Sequence, residues 1–320
     1  MQKSEFGSIA NLTRRFGPAL VFFLLLGIVS LFQPSFLTGR GTTILLYQCV
    51  PILVLALGQS LVLVTGSIDL SNAALAVLSS VLVAKGLEPL GAMAPVLTII
   101  VISAAGCLTG ILITVFQVPS FAVTLGLLGF WQAVALLITQ QQTLYIAANG
   151  EILFWMTDLE LFGLQPIAFV GAAIAIIAWL LVQRTHFGIM LRSTGLNERA
   201  SLLAGVNTKV IKIAAFTFSG ACAAVTGIII TAQQGAASAS GLGNGLLLPA
   251  IAAAILGGVS ISGGTGRPLN VVFGALIVTL IPIASVIAGF DPRLQQIVFG
   301  VALILTVALT QDRKTSGTIK

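Results

Sequence analysis

A lone carboxylate within apolar sequence, Asp69 in the run Thr65-Gly66-Ser67-Ile68-Asp69-Leu70-Ser71-Asn72, is the most conspicuous chemical group of this 320-residue chain. A carboxylate inside a membrane span costs roughly 2.5–3.5 kcal/mol on insertion scales, so it must be solvated, paired or capping. Two readings fit. Asp69 or Ser71 can accept hydrogen bonds from the free N–H groups that open the next helix, with Gly66 supplying the turn; alternatively Asp69 touches a transported molecule or ion. A second set, Gln48, Gln59, Asn72, Thr124, Gln132 and Thr231, places amides and hydroxyls inside apolar runs. Each either ties two helices together or lines a wet path, where it would hydrogen-bond a neutral polar solute without burying a charge.

Catalysis finds no footing in these residues. The single histidine, His186, lies in a polar segment, H-E-x-x-H is absent, and no second acid stands beside Asp69 as an intramembrane aspartyl protease requires. The glycine-rich stretch Gly257-Gly258-Val259-Ser260-Ile261-Ser262-Gly263-Gly264-Thr265-Gly266-Arg267 matches neither G-x-x-x-x-G-K-[ST] nor G-x-G-x-x-G, so it reads as a bend at a membrane boundary, not a nucleotide site. Cys49, Cys107 and Cys222 lie far apart in apolar runs, without metal-ligand spacing. No cofactor and no metal are expected.

The elements that position these groups follow from composition. Hydrophobic residues make up 57 % and charged residues 8 % of the chain, with a mean hydropathy of +1.10. From Gly41 to Val182 only Asp69, Lys85, Glu88, Glu151, Asp158 and Glu160 carry charge. This excludes a water-soluble core. Apolar runs without strand alternation predict helices, which satisfy their own backbone in lipid. The expected fold is therefore an all-α integral membrane bundle of about ten spans, near 18–33, 42–64, 69–85, 92–115, 120–139, 166–183, 213–232, 246–259, 268–289 and 294–310. The first follows Arg14 and Arg15 like a signal peptide, but Phe32 to Phe36 offers no small-residue cleavage site.

Orientation follows from counting Lys and Arg, which accumulate on the cytoplasmic side. With both termini inside, 12 of the 15 basic residues fall in inner segments, and only Arg40, Lys85 and Arg293 fall outside. The basic residues form no face with interleaved aromatics, so the net charge of +6 marks topology and not nucleic acid. The whole chain, 1–320, is expected to form one transmembrane domain. Its inner parts are an N-terminal segment (1–17), a long connector (184–212) and a tail (311–320). The connector carries the pattern of a short amphipathic helix around Asn197 to Ala204, and the acidic outer segment Gln140 to Gln165 is placed along the membrane surface. Small residues such as Gly106, Gly110, Gly220 and Gly227 predict close helix packing.

Four motifs in order then resemble a known family. Arg184-Thr185-His186-Phe187-Gly188 with Gly195-Leu196-Asn197-Glu198-Arg199-Ala200 and Gly205-Val206-Asn207 is similar to the cytoplasmic loop of permease subunits of bacterial ABC sugar importers of the ribose type, relatives of the branched-chain amino acid permeases. Ser67 to Ser71, Val118 to Leu125, and Ile251 to Gly266 match as well. The resemblance implies a dimeric pore in the bacterial inner membrane, driven by separate ATPase subunits and fed by a periplasmic solute-binding protein. It further implies that Gly195, Asn197, Glu198, Arg199, Ala200, Gly205 and Asn207 form the helix that couples to the ATPase, with Gly195 and Gly205 turning the chain at its ends. Gln59, Asp69, Ser71, Asn72, Phe121, Thr124 and Gln132 are the candidate pathway or structural residues.

The chain departs from the family where Leu247-Leu248-Pro249 replaces the usual Glu-Leu-Asp, which points to an unusual sugar-like solute or to a second, different permease as partner. The expected function is the membrane-spanning subunit of an ATP-driven importer for a monosaccharide or similar neutral solute, without a nucleotide site of its own. Two alternatives stay open: a permease for amino acids, and an ATPase-independent channel or secondary carrier.

Overall fold

The computed structural model describes residues 2–240 and 244–289, with 291, 294, 297, 300, 301 and 304 as isolated positions. The long elements are α1 (Gln2–Phe32), α2 (Gly39–Val64), α3 (Asn72–Leu90), α4 (Met93–Phe116), α5 (Ser120–Thr139), α7 (Pro166–Arg184), α10 (Thr208–Gln234) and α12 (Pro268–Ile287). Shorter helices are α6 (Glu151–Asp158), α8 (His186–Leu196), α9 (Glu198–Leu203) and α11 (Leu247–Leu256). A two-residue ladder pairs β1 (Leu144–Tyr145) antiparallel with β2 (Ala236–Ala237).

Among the described residues, seven helices are long and apolar enough to cross a membrane: α2, α3, α4, α5, α7, α10 and α12. Their bounds fall close to the predicted spans, and α5 matches its span at both ends. α1 differs, because the helix continues unbroken from Gln2 past Arg14 and Arg15 into the apolar stretch Phe16–Phe32. The span expected at 246–259 contains only the ten-residue α11, about 15 Å long and half of a bilayer core. Before it, a 3-10 turn covers Asn244–Leu246, and residues 241–243 lie outside the described residues; any backbone at membrane depth ahead of α11 must find its partners inside protein. The expected span 294–310 and the tail 311–320 lie outside the described residues, apart from isolated positions.

α10 occupies the centre, packed against α2, α3 and α4. Close approach depends on small residues, since lipid supplies no hydrophobic drive between helices. A methyl group on Gly106 of α4 would meet the Phe216 carbonyl oxygen at 2.5 Å and the Gly220 Cα of α10 at 3.0 Å. The largest buried apolar cluster draws residues from α1 to α5, α7, α8 and α10 to α12, while Leu153 and Met156 of α6 belong to a second cluster. α5 stands apart: only 11 % of its apolar window is buried, leaving Phe121, Leu125, Phe130 and Leu137 for lipid or another chain.

Successive helices alternate in direction and sort the loops between two ends. One end gathers the α2–α3 turn, the α4–α5 turn, α8, α9 and Arg267. The opposite end gathers α6, the α3–α4 turn and the β1–β2 ladder, tied together by Asn149 Nδ2 donating to the Leu87 carbonyl oxygen (2.8 Å) and by Gly235 beside Phe154. The first end carries Arg184, Arg192, Arg199, Lys209, Lys212 and Arg267 with Glu198, and the second carries Glu88, Glu151, Asp158 and Glu160 with Arg40 and Lys85.

Candidate functional site

The four resembling motifs, scattered over 200 residues of sequence, meet at one short turn between α2 and α3. α2 ends in a Schellman arrangement: Gly66 N–H donates to the Leu63 carbonyl (2.8 Å) and Ser67 N–H to Val62 (3.3 Å), with Gly66 at φ +76°. The chain then enters a pocket of hydroxyls. Asp69 is fully buried; its Oδ1 accepts from Ser71 N–H (2.9 Å) and Ser71 Oγ (2.6 Å), and its Oδ2 accepts from Ser219 Oγ of α10 (2.9 Å). The carboxylate thus ties the start of α3 to the central helix, with both oxygens engaged inside the protein.

The neighbouring peptide is held from α5. Ile68 N–H donates to Ser120 Oγ (3.1 Å), and Thr124 Oγ1 donates to the Ile68 carbonyl (3.2 Å) while also bonding Ser120 O (2.9 Å). On the other side Gly264 N–H, in the glycine-rich loop, donates to the Val64 carbonyl (2.8 Å). Gly195 seats α8 against the same carbonyl: a side chain there would overlap Val64 O and lie 2.5 Å from Gly264 N. A methyl on Gly263 would sit 2.8 Å from both Gly195 O and Gly66 N. Any movement of α8 must therefore move this turn or break its packing.

The short helix expected around Asn197 to Ala204 is α9 (Glu198–Leu203), and α8 precedes it in the connector. Gly195 lies in the last turn of α8, not at a hinge, and its lack of a side chain serves contact instead of turning. Asn197 breaks the helix and caps α9, its Oδ1 accepting from Ala200 N–H (3.0 Å). α9 closes with a second Schellman arrangement, Gly205 N–H to Leu202 O (3.0 Å) and Val206 N–H to Ser201 O (3.0 Å), with Gly205 at φ +84°. Asn207 then caps α10 through Val210 N–H (3.2 Å). Glu198 is ion-paired with Lys212 (2.7 Å) across the connector, while Arg199 and Ala200 face outward. Leu196, Leu202 and Leu203 are exposed on this polar segment, Leu203 at 91 %.

The remaining predicted residues separate. Gln59 and Asn72 form a fully buried amide pair, Asn72 Nδ2 donating to Gln59 Oε1 (3.0 Å), which leaves Gln59 Nε2 and Asn72 Oδ1 without partners. Gln132 Nε2 donates to the Ala239 carbonyl, so this amide of α5 satisfies backbone between β2 and α11. Phe121 is 55 % exposed on α5 and meets the turn only through its carbonyl, a further acceptor for Thr124 Oγ1 (3.4 Å). Sequence reasoning missed Ser219, Ser120 and Lys212. The only signal for Ser219 was a hydroxyl beside the small-residue stripe at Gly220.

Buried hydrogen-bonded turns in a polytopic helical bundle, packed against an apolar-tipped connector at the same end, define an integral membrane protein whose connector is seated directly on its helices. The chain belongs to the branched-chain amino acid transport system / permease component family, whose profile matches residues 41–307. It is therefore a translocation subunit, in a family where a separate subunit hydrolyses ATP. It is 34 % identical over 315 residues to the galactofuranose transporter permease of Escherichia coli strain K12, covering 95 % of this chain and 91 % of that one. It is 32 % identical to the ribose import permease of Bacillus subtilis strain 168, covering 95 % and 94 %. It is also 32 % identical to the autoinducer 2 import system permease of Yersinia pseudotuberculosis, covering 89 % and 80 %. No solved structure matches.

Proposed function

We propose that the chain is the membrane-spanning subunit of an ATP-driven importer for a monosaccharide or sugar-like neutral solute in the bacterial inner membrane. The observation that carries this is the exposed apolar tip of the connector, Leu196, Leu202 and Leu203, on a segment of basic residues with no other reason to show leucines to water. A cytoplasmic ATPase subunit covers that tip. Its movement passes through Gly195 to the Thr65–Ser71 turn and from there, through Asp69 and Ser219, to α10. Coupling then rests on Asn197, Glu198, Arg199, Ala200, Gly205 and Asn207.

Both termini face the cytoplasm, and residues 1–320 act as one domain. The acidic end with α6 receives solute from a periplasmic binding protein. A second permease subunit, identical or different, covers the exposed face of α5 and completes the path. The solute class follows from relatives that are permeases for galactofuranose, ribose and autoinducer 2. Uptake of labelled pentoses and hexoses should fall when the gene is deleted; unchanged uptake of all of them, with loss of L-leucine uptake instead, would assign the chain to amino acids.

A further inference from the structure

We propose that the cleft between α2, α6 and the start of α7 is a recognition site for the solute itself, a neutral sugar held at the acidic end before it enters the bundle. This rests on the importer reading above and locates its first contact within this chain. The cleft is an open one of about 590 Å³, within the roughly 300–1,000 Å³ typical of small-molecule sites. Tyr47 lies 17 residues before Val64 on α2, so the cleft sits about 25 Å from the Asp69 turn along the helix.

Its lining has the chemistry of a polyol site. The rings of Tyr47 and Phe154 supply apolar faces for the C–H surface of a sugar, and Thr43, Gln48, Asp158 and Gln165 supply hydroxyl, amide and carboxylate groups. Gln165 is already built in, its Nε2 donating to the Thr157 carbonyl (2.7 Å), yet its Oε1 is buried without a partner. A buried acceptor without a partner is a group that a donated hydroxyl can satisfy. The wall is fixed as well. Tyr47 OH donates to the Gln233 carbonyl (3.0 Å), and Gln233 Nε2 donates back to Tyr47 O (2.6 Å), locking α2 to α10 behind the cleft. None of the lining residues is basic, and Asp158 is the single charge among them. An amino acid carboxylate would find no cation there, whereas a neutral sugar meets acceptors for its hydroxyls.

The test uses the full chain in membrane vesicles with Cys107→Ser and Thr43→Cys, since the native Cys49 and Cys222 are buried. The rate of labelling by a membrane-impermeant maleimide is measured with D-ribose, D-galactose or L-leucine. At a sugar concentration about ten times its dissociation constant, one sugar should slow labelling about tenfold. Gln165→Met should remove that protection, and Asp158→Asn, which leaves the Gln165–Thr157 bond in place, should weaken it; wild-type protection in both variants would overturn the assignment. Uptake by the intact transporter is measured in parallel. Sugar uptake without protection by any sugar would overturn the cleft assignment alone. Protection by L-leucine only would overturn the sugar chemistry, and absence of both uptake and protection would remove the importer reading with it.

Discussion

Asp69→Ala strips three donors of their acceptor at once, Ser71 N–H, Ser71 Oγ and Ser219 Oγ. Each buried group left open costs about 1–3 kcal/mol, so the variant should lose several kcal/mol of stability and transport with it. Asp69→Asn keeps one acceptor oxygen, and Ser219 can rotate its hydroxyl to accept from the new amide. The thermal midpoints of the detergent-purified proteins should therefore fall in the order wild type, Asn, Ala. An Ala variant with an unchanged midpoint and full uptake would show that the carboxylate does not hold the turn. Asp69 was legible in the sequence because a charge amid apolar residues is costly and must have a reason. Its partner Ser219 was not, since a serine inside a helix is ordinary and only three-dimensional packing brings it across 150 residues to Asp69.

The connector and its seat raise the matter to the level of helices. Gly195→Ala places a methyl group on the Val64 carbonyl, and overpacking of this kind costs about 1–3 kcal/mol. The predicted result in proteoliposomes is that solute-loaded binding protein no longer stimulates ATP hydrolysis by the assembled transporter, while basal hydrolysis persists. Asn197→Ala removes the cap of the six-residue α9 at about 1 kcal/mol; it should weaken stimulation without lowering the yield of folded protein, read by size-exclusion chromatography. Normal stimulation in both variants would remove the connector from the coupling path. Most helices could be read from the sequence because long apolar runs admit no other structure in lipid. α11 could not, since the apolar residues Ile251 to Val259 look like a span until the backbone around Ala239 is seen to be held by Gln132. The start of α9 at Asn197 was legible from its amphipathic pattern, whereas α8 before it was not, because His186 to Leu196 has a mixed polar and apolar sequence that marks neither a span nor a loop.

Across the whole molecule, the account requires the connector and the α6 region to lie on opposite sides of the membrane. Phe162 is 98 % exposed near α6 and Leu203 91 % exposed on α9. In intact cells an impermeant maleimide should label Phe162→Cys and spare Leu203→Cys, and the reverse pattern would invert the topology. Charge counting made this separation readable in advance, because Lys and Arg record which loops stay in the cytoplasm. It could not reveal that the inner loops converge on the Thr65–Ser71 turn. The most direct test of the coupling path joins Leu203→Cys to the ATPase with a short thiol cross-linker in the purified complex. A cross-linked permease–ATPase pair should form, and its formation should block transport. An intact, active complex in which Leu203→Cys reacts freely with solvent and never with the ATPase would contradict that coupling path.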